Sequence, residues 1–182
     1  MKLTKEQILK IFFHRKDVFA TQQKSGAYFP TKRPISIEDI EKHLEGKETL
    51  GAYCLGLDNT VTWACVDIDG DENKVEDLKF ESEIIYNQFE DFKRILEFSG
   101  RRGYHIWIFF TQPTQAEYAQ RLVKSRLNRV GLLRHEVFPK QTELNEGRKY
   151  GNLVKIPGGI HKKSGKRSTI IKSEGIVGIG NN

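Results

Sequence analysis

The most constraining feature of the chain is an apolar run, residues 61–66, that ends in Asp67-Ile68-Asp69 and is followed at once by Gly70. Such a run is typical of a buried β-strand, in which residues two apart point to the same face of the sheet. Asp67 and Asp69 are therefore predicted to project side by side from the end of that strand. Two carboxylates held so close repel each other and lose hydration unless a cation lies between them.

This acidic pair has two interpretations. A pair of divalent metal ions satisfies two such acids, and paired metals catalyse in-line phosphoryl or nucleotidyl transfer. The alternative is a strand that runs into an ordinary Asp-Gly turn, in which both acids are solvated. Asp71, which follows Gly70, fits a turn residue better than a metal ligand. On these residues alone, both interpretations stay open.

Charge is distributed unevenly along the chain. Lys and Arg number 30 against 24 Asp and Glu, for a formal charge of +6. The acids are dense between residues 67 and 97, whereas residues 140–172 contain nine Lys or Arg and two Glu. A basic surface next to an acidic site favours a nucleic-acid enzyme, and the alternative is a solvated surface that keeps the chain soluble.

Composition argues against several other classes of protein. The two cysteines, Cys54 and Cys65, lie in apolar runs and are predicted to be small buried residues rather than a disulfide or a zinc site. The N-terminal residues lack the apolar core of a signal peptide, and no apolar run is long enough to span a bilayer. We therefore expect a cytoplasmic protein without a membrane partner.

Predicted helices and strands are interspersed without strict β-α-β alternation, which predicts an α+β domain. Thr4 and Ser36 are expected to cap two short helices, and residues 28–34 to form an extended connector. Residues 50–57 and 61–69 are predicted to be two strands joined by a hairpin. The other predicted elements are helices at 75–89 and 114–130 and strands at 93–98, 104–110, 134–138, 151–156 and 168–171.

Residues 102–109, Arg-Gly-Tyr-His-Ile-Trp-Ile-Phe, form a second motif with two interpretations. One is an RNA-recognition strand, in which Tyr104 or Trp107 stacks on bases. The other makes His105 functional, because it follows a glycine-rich basic loop whose backbone amides can meet phosphate oxygens. In that case His105 shares a strand face with Trp107 and Phe109.

Glu136, in the predicted strand at residues 134–138, is the candidate third carboxylate. Two metal ions usually need at least three acidic side chains to balance their charge and to fill their oxygen-preferring shells. His135, on the opposite face of that strand, is a weaker alternative ligand.

Taken together, the three motifs resemble the archaeo-eukaryotic primase superfamily. Its first motif, a strand-borne acidic pair, is matched by Asp67 and Asp69. Its second motif, a small residue followed two positions later by His on a strand, is matched by residues 103–105, and its third, an acidic strand residue, by Glu136. Residues 138–141, 151–153, 155–157 and 161–167 look like the primase-polymerases of mobile elements. The closest resemblance is to the CRISPR-associated primase-polymerases, over about residues 28–171.

The resemblance implies a single domain with an RRM-like catalytic sheet that has helices on one face and packs against a smaller N-terminal αβ unit. The N-terminal part would span residues 1–50, the catalytic part residues 51–172, and a tail residues 173–182. The implied activity is that of a template-dependent primase-polymerase, which transfers nucleotides from nucleoside triphosphates to a primer or an initiating nucleotide. The zinc module of some primases has no counterpart in the sequence, so no zinc is expected.

The resemblance also implies a set of site residues. Asp67, Asp69 and Glu136 would bind two Mg²⁺ or Mn²⁺ ions, and His105 would contact the phosphates of the incoming nucleotide. The other predicted nucleotide-binding residues are Arg101, Arg102, Asn152, Lys155 and His161. The predicted nucleic-acid-binding residues are Lys140, Gln141, Lys162, Lys163, Lys166 and Arg167. Implied partners are a single-stranded DNA template and primer, ribo- or deoxynucleoside triphosphates, and other domains or CRISPR adaptation proteins outside the chain.

Two other functions fit the same motifs. A two-metal nuclease needs the same acids but no nucleotide pocket. A non-catalytic RRM-like module would bind single-stranded nucleic acid without any divalent metal.

Overall fold

Two antiparallel sheets and four helices make up the fold of the computed structural model, which describes residues 3–71 and 75–176. The helices are α1 (Lys5–Phe12), α2 (Ile37–Glu45), α3 (Val75–Asn87) and α4 (Ala116–Arg129). The strands are β1 (Phe19–Gln22), β2 (Tyr28–Thr31), β3 (Leu50–Tyr53), β4 (Thr60–Ile68), β5 (Lys93–Phe98), β6 (Tyr104–Gln115), β7 (Glu136–Phe138), β8 (Leu153–Lys155) and β9 (Thr169–Glu174).

The larger sheet has the strand order β7-β4-β6-β5-β9, and every neighbouring pair is antiparallel. Its first four strands and two helices follow one another as β4-α3-β5-β6-α4-β7, which is the β-α-β-β-α-β unit of ferredoxin-like and RRM-like folds. The smaller sheet has the order β2-β1-β3-β8 and packs with α1 and α2. The predicted α+β fold with an RRM-like sheet is therefore confirmed.

Alternation along β4 sends its side chains to two different cores. Val66 and Ile68 pack with residues of α3 and α4 on one face of the larger sheet. Trp63 and Cys65 pack on the other face with α1 and the smaller sheet, where the Trp63 indole N–H donates to the carbonyl oxygen of Phe12 at 2.8 Å. Asp67 follows the same alternation, so it lies at the end of the face that the smaller sheet covers.

The two N-terminal helices begin where the capping signals place them. Thr4 and Ser36 each accept a hydrogen bond from the third helical residue in a capping box, and Gly46 ends α2 in the left-handed conformation that glycine favours. Among the described helices, none is both long and apolar enough to cross a membrane.

Two local predictions are wrong because strand partners are chosen by distant residues. The predicted strands at 50–57 and 61–69 do not form a hairpin, since β3 pairs with β1 and β8 whereas β4 pairs with β6 and β7. The predicted connector at 28–34 contains β2, which pairs with β1. A short turn-like segment is compatible with a hairpin or with a crossing between sheets, and burial of the flanking strands selects one of them.

The boundaries of the predicted domain parts also differ from the arrangement of the strands. β8 comes from the second half of the chain but pairs with β3, so the smaller sheet extends beyond residues 1–50. β9 runs to Glu174 and Ile176 is buried, so the predicted tail at residues 173–182 begins within the sheet. Residues 177–182 of that tail lie outside the described residues.

His43, on α2, holds the turn that follows β8. The backbone N–H of Leu50 donates to Nδ1 at 3.0 Å, so Nε2 carries the proton and donates to the Pro157 carbonyl oxygen at 3.1 Å. Gly159 passes so close that a Cβ there would lie 2.1 Å from His43 Cε1. Burial, reinforced by the charge of Lys155, lowers the pKa of His43 to about 4.

This buried neutral histidine is expected to make folding sensitive to acid. The unfolded chain binds a proton at His43 near pH 6.5 and the folded protein only near pH 4. The free energy of unfolding should therefore fall as the pH is lowered from 6.5 to about 4. The expected loss is about 3 kcal/mol. Urea denaturation from pH 4 to pH 7.5 measures it, and in His43→Gln the stability should fall less over the same window. An identical pH dependence in both proteins would contradict the assignment.

Candidate active site

Four ionisable side chains form a row across the larger sheet. Asp67 on β4 lies directly opposite Glu136 on β7 and His105 on β6, and His105 lies opposite Glu97 on β5. Directly opposed residues share a face, with Cβ atoms about 4.5–5.5 Å apart. We call Glu136, Asp67, His105 and Glu97 the charged row. It forms because antiparallel pairing places the starts of β6 and β7 beside the end of β4.

The acids of the predicted metal site differ in exposure. The Asp67 side chain is 24% exposed, whereas Asp69, one residue beyond β4, is 55% and Glu136 58% exposed. Burial raises the pKa of the Asp67 carboxyl above its usual range; His105 opposes this shift, and the charges of Asp69 and Glu136 add to it. An ionised Asp67 is therefore in a position where an additional cation would be stabilising.

Each of the two exposed acids has a cationic partner in this structure. Lys140 Nζ lies 2.7 Å from Glu136 Oε2, and Arg102 lies 3.5 Å from Asp69 Oδ2. Within residues 3–71 and 75–176, no three His, Cys, Asp or Glu side chains are grouped so that they could hold a metal ion. The three carboxylates are the hard oxygen donors that Mg²⁺ and Mn²⁺ prefer, so the donor set fits chemically. Metal binding by these acids stays a prediction.

Glu97 is a residue of the charged row that the sequence analysis missed. Its carboxylate is fully buried and accepts three hydrogen bonds: from His105 Nδ1 at 3.0 Å, from Trp107 Nε1 at 2.9 Å and from Lys155 Nζ at 3.2 Å. A signal was present in the sequence. Glu97 lies two residues after Ile95 and therefore on the buried face of its strand, where an acid needs a partner.

Glu97 and His105 shift each other's pKa. Burial by itself would raise the pKa of Glu97, but the charges of Lys155 and His105 and the hydrogen bonds to Glu97 lower it to about 2. Burial lowers the pKa of His105, and the carboxylates of Glu97 and Asp67 outweigh it, so the net shift is upward. The imidazole Nδ1 lies 3.0 Å from Glu97 Oε2 and donates to it, and Nε2 lies 3.7 Å from Asp67 Oδ1.

The glycine-rich loop before β6 brings further polar side chains to the row. Ser164 Oγ donates to the Gly100 carbonyl oxygen at 2.6 Å, which joins this loop to the turn that carries His161. Burial lowers the pKa of His161, and the charges of Lys155 and Arg101 lower it further. His161 Nδ1 and Arg102 Nε are both buried and have no hydrogen-bond partner among the described residues. Ligand oxygen atoms would satisfy both groups.

Two predicted nucleotide-binding residues already have structural partners. Lys155 is buried in its ion pair with Glu97, so it does not point into open space toward a phosphate. The side-chain carbonyl of Asn152 accepts a hydrogen bond from the backbone N–H of Gln141 at 3.1 Å. Both predictions rested on position along the chain, and the tertiary contacts engage the polar atoms elsewhere.

The predicted nucleic-acid-binding residues divide into two groups. Lys162 Nζ donates to the carbonyl oxygens of Gly46 and Lys47 at 3.1 and 3.0 Å, and Arg167 Nη1 donates to that of Leu44 at 2.6 Å. Cations at a helix C-terminus satisfy its last carbonyls, so these two side chains stabilise the end of α2. Arg167 nevertheless remains exposed, as do Lys140, Lys163 and Lys166, and Gln141 is partly exposed.

The alternative prediction that Tyr104 or Trp107 stacks on bases is wrong. Trp107 is fully buried between Phe12 and Trp63, and Tyr104 packs against Phe98 in the core beneath α3 and α4. His135, the alternative ligand, lies on the other face of the sheet, where its Nε2 is 2.8 Å from Glu81 Oε2 of α3. The faces of His105, Trp107 and Phe109 are as predicted.

Gly103 is expected to be needed for the alignment of the acids with His105. An added Cβ would lie 2.2 Å from the Ile68 carbonyl oxygen and 2.6 Å from Asp69 Oδ1, so Gly103→Ala must push β4 and β6 apart. We expect a loss of about 1–3 kcal/mol in the free energy of unfolding. Gly147→Ala, whose nearest contact would be 3.6 Å away, is the control in urea denaturation. Equal stability of the two variants would contradict the prediction.

Comparison with known proteins bears on this arrangement. The model of a family described as the archaeo-eukaryotic primase domain of the TOTE conflict system matches residues 6–177. The fold is similar to the archaeo-eukaryotic primase domain of the cyanophage S-2L primase-polymerase, with a TM-score of 0.58 and 12% identity over 93% of this chain and 90% of that chain. The polymerase domain of Mycobacterium tuberculosis ligase D, in complex with DNA, gives a TM-score of 0.48 and 13% identity over 92% of this chain and 72% of that chain.

Curated protein sequences give no match to this chain. The association with CRISPR systems, expected from resemblance, stays a prediction. The family model covers both sheets and all four motif residues, Asp67, Asp69, His105 and Glu136. The predicted superfamily is therefore confirmed, and the chain belongs to the archaeo-eukaryotic primase domain family of TOTE conflict systems.

Proposed function

We propose that this domain is a template-dependent primase-polymerase, which transfers a nucleotide from a nucleoside triphosphate to a primer or an initiating nucleotide. The observation that supports it most directly is the register of Glu136, Asp67 and His105, which lie opposite one another on three adjacent strands. An ordinary Asp-Gly turn would not require two further ionisable side chains in line with the first acid. Family membership supports the same activity.

Three carboxylates are proposed to hold the metal ions. Asp67, Asp69 and Glu136 would bind two Mg²⁺ or Mn²⁺ ions, which when bound supply activation of a hydroxyl nucleophile and neutralisation of the leaving pyrophosphate. Lys140 and Arg102 must release Glu136 and Asp69 for this. Salt bridges between exposed side chains contribute about 0–1 kcal/mol each, so their release costs little.

The β6 side of the charged row is proposed to bind the triphosphate. Its basic side chains are Arg101, Arg102 and His105, whose pKa is raised and which Glu97 holds in one orientation. Arg102 Nε donates, and neutral His161 donates in the tautomer that protonates Nδ1, so a phosphate oxygen would satisfy these two buried atoms. Cations placed around the transferring phosphate stabilise the charge that develops on it.

Primer extension tests the proposal and separates it from its rivals. Purified protein should lengthen a labelled primer on a DNA template when nucleoside triphosphates and Mg²⁺ or Mn²⁺ are supplied. Shortening of the labelled strand without nucleotides would identify a nuclease instead. Strand binding that a chelator leaves unchanged, with no change in primer length under any condition, would identify a non-catalytic binding module.

A further inference from the structure

An open cavity of about 700 Å³ adjoins the charged row on its β7 side. Lys140 belongs to both places, since its Nζ pairs with Glu136 and its side chain lines the cavity. The cavity lies between the smaller sheet, which contributes Tyr53 and Leu153, and the segment at residues 140–152. We call it the tyrosine cavity. Its volume is in the range of small-molecule sites, which is about 300–1,000 Å³.

Aromatic rings and cations line the tyrosine cavity. The rings of Tyr53 and Tyr150 are 5.6 Å apart, and the guanidinium of Arg15 lies 5.4 Å from the centre of the Tyr150 ring. The described lining contains three basic side chains, Lys140, Arg148 and Lys149, and one acid, Glu146. Aromatic rings beside clustered positive charge are the composition that binds single-stranded nucleic acid, because bases stack on the rings and phosphates pair with the cations.

The segment that forms the rim is held in place by its own hydrogen bonds. The backbone N–H of Arg148 donates to the Asn145 carbonyl oxygen at 3.0 Å, which closes a turn. At the other end, Gln141 donates from its backbone to Asn152 at 3.1 Å and from its side chain to the Glu143 carbonyl oxygen at 2.9 Å. The cavity therefore presents a preformed surface, which lowers the entropic cost of binding.

The geometry of the proposed reaction assigns a nucleic-acid strand to this cavity, and this assignment rests on the proposed function. In an in-line displacement, the attacking hydroxyl and the leaving pyrophosphate lie on opposite sides of the reacting phosphorus. The cations proposed for the triphosphate, Arg101 and Arg102, precede β6 on one side of Asp67. The opposite side of Asp67 is β7, where Lys140 leads into the tyrosine cavity.

We propose that the tyrosine cavity binds the 3′-terminal nucleotides of the acceptor strand. A base stacks on Tyr150, and backbone phosphates pair with Arg148 and Lys149. The terminal hydroxyl then lies toward Glu136 and Asp67. The cavity contributes to affinity for the strand and not to affinity for the incoming triphosphate.

Strand binding tests the aromatic contact without any turnover. Fluorescence anisotropy measures the affinity for a labelled single-stranded DNA in an Asp67→Asn background. Tyr150→Ala should bind this strand at least about fivefold more weakly. Tyr150→Phe keeps the ring and should bind normally. Phe80→Ala is the matched control, since Phe80 is 68% exposed on α3, which packs on the other face of the larger sheet. Unchanged affinity in a folded Tyr150→Ala variant would overturn the proposal.

Salt dependence tests the two phosphate contacts. Replacing Arg148 and Lys149 with Gln should reduce the slope of log affinity against log salt by about 1.4, because each phosphate contact on a single strand contributes about 0.7. Replacing Lys79 and Arg129, exposed on α3 and α4, should leave the slope unchanged. An equal reduction in both double variants would mean that charge alone matters and would overturn the cavity as the site.

Crosslinking identifies which strand occupies the cavity. A 5-iododeoxyuridine at the primer 3′ end, annealed to a template, should crosslink to Tyr150 on irradiation. Crosslinking to Tyr150 only from a template position would overturn the assignment to the acceptor strand.

These outcomes are independent of polymerisation: a protein that extends no primer but binds strands through Tyr150 refutes the proposed function alone. Normal primer KM in Tyr150→Ala and Arg148→Gln/Lys149→Gln refutes the cavity alone.

Discussion

Replacing Asp67 and Asp69 together with asparagine is expected to lower the primer-extension rate by at least about 10³-fold. The acids are proposed to hold the metal ions, and transition-state stabilisation by bound metals is several kcal/mol, with each 1.36 kcal/mol equal to tenfold in rate. Single-turnover extension with saturating primer and nucleotide measures the change. A double variant that keeps more than a tenth of the rate would refute the metal assignment.

The same double variant is expected to be at least as stable as the natural protein at pH 7. The folded-state pKa of Asp67 is raised, so the folded protein holds that proton more tightly than the unfolded chain does. Stability from this group is present at low pH and is lost as pH rises from the unfolded value of 3.8 through the folded pKa. Asparagine removes that loss. Thermal denaturation at pH 7 measures it, and a large decrease in melting temperature would mean that activity was lost through unfolding.

Replacing Glu97 with glutamine is expected to lower the free energy of unfolding by about 3–5 kcal/mol. The change leaves Lys155 buried without its carboxylate partner, and an uncompensated buried charge is strongly destabilising. Adding Lys155→Met should recover much of the loss, because replacing both members of a buried pair is often neutral. Urea denaturation of the single and double variants measures both effects. A double variant no more stable than Glu97→Gln would contradict the ion-pair account.

Glu97→Gln should also lower the pKa of His105. The charge of Glu97 is the largest contribution that raises the pKa of His105, so the histidine should lose its proton at a lower pH in the variant. NMR titration of the imidazole carbon-bound protons measures this directly, and a purely structural role for Glu97 would not move it. Glu45→Gln, which breaks an exposed pair with Lys47, is the surface control and should change stability by less than about 1 kcal/mol.

The Glu97–Lys155 pair also explains how the site depends on the whole fold. Glu97 belongs to β5 of the larger sheet, and Lys155 belongs to β8 of the smaller sheet. The pair therefore joins the two sheets directly behind His105. Any change that separates the sheets is expected to disturb the orientation of His105 before it disturbs the acids on β4.

Many features of the fold and the site follow from residues close together in the chain. The capping boxes at Thr4 and Ser36 involve residues three apart, and the alternation that places Asp67 with Cys65 involves residues two apart. The aligned faces of His105 and Trp107 have the same origin. Local spacing reports these features because the geometry of a helix turn or a strand pleat is the same in every fold.

Other features depended on contacts between distant segments. No local pattern distinguishes a hairpin between residues 50–57 and 61–69 from strands in two different sheets. None shows that Lys155 neutralises Glu97, or that Lys162 and Arg167 bind the carbonyls at the end of α2. Local order along the chain therefore indicated which acid and which histidine share a strand face. Their partners emerged only when two apolar sheet faces were buried against each other, because burial selects strand neighbours and requires each enclosed charge to have a counter-charge.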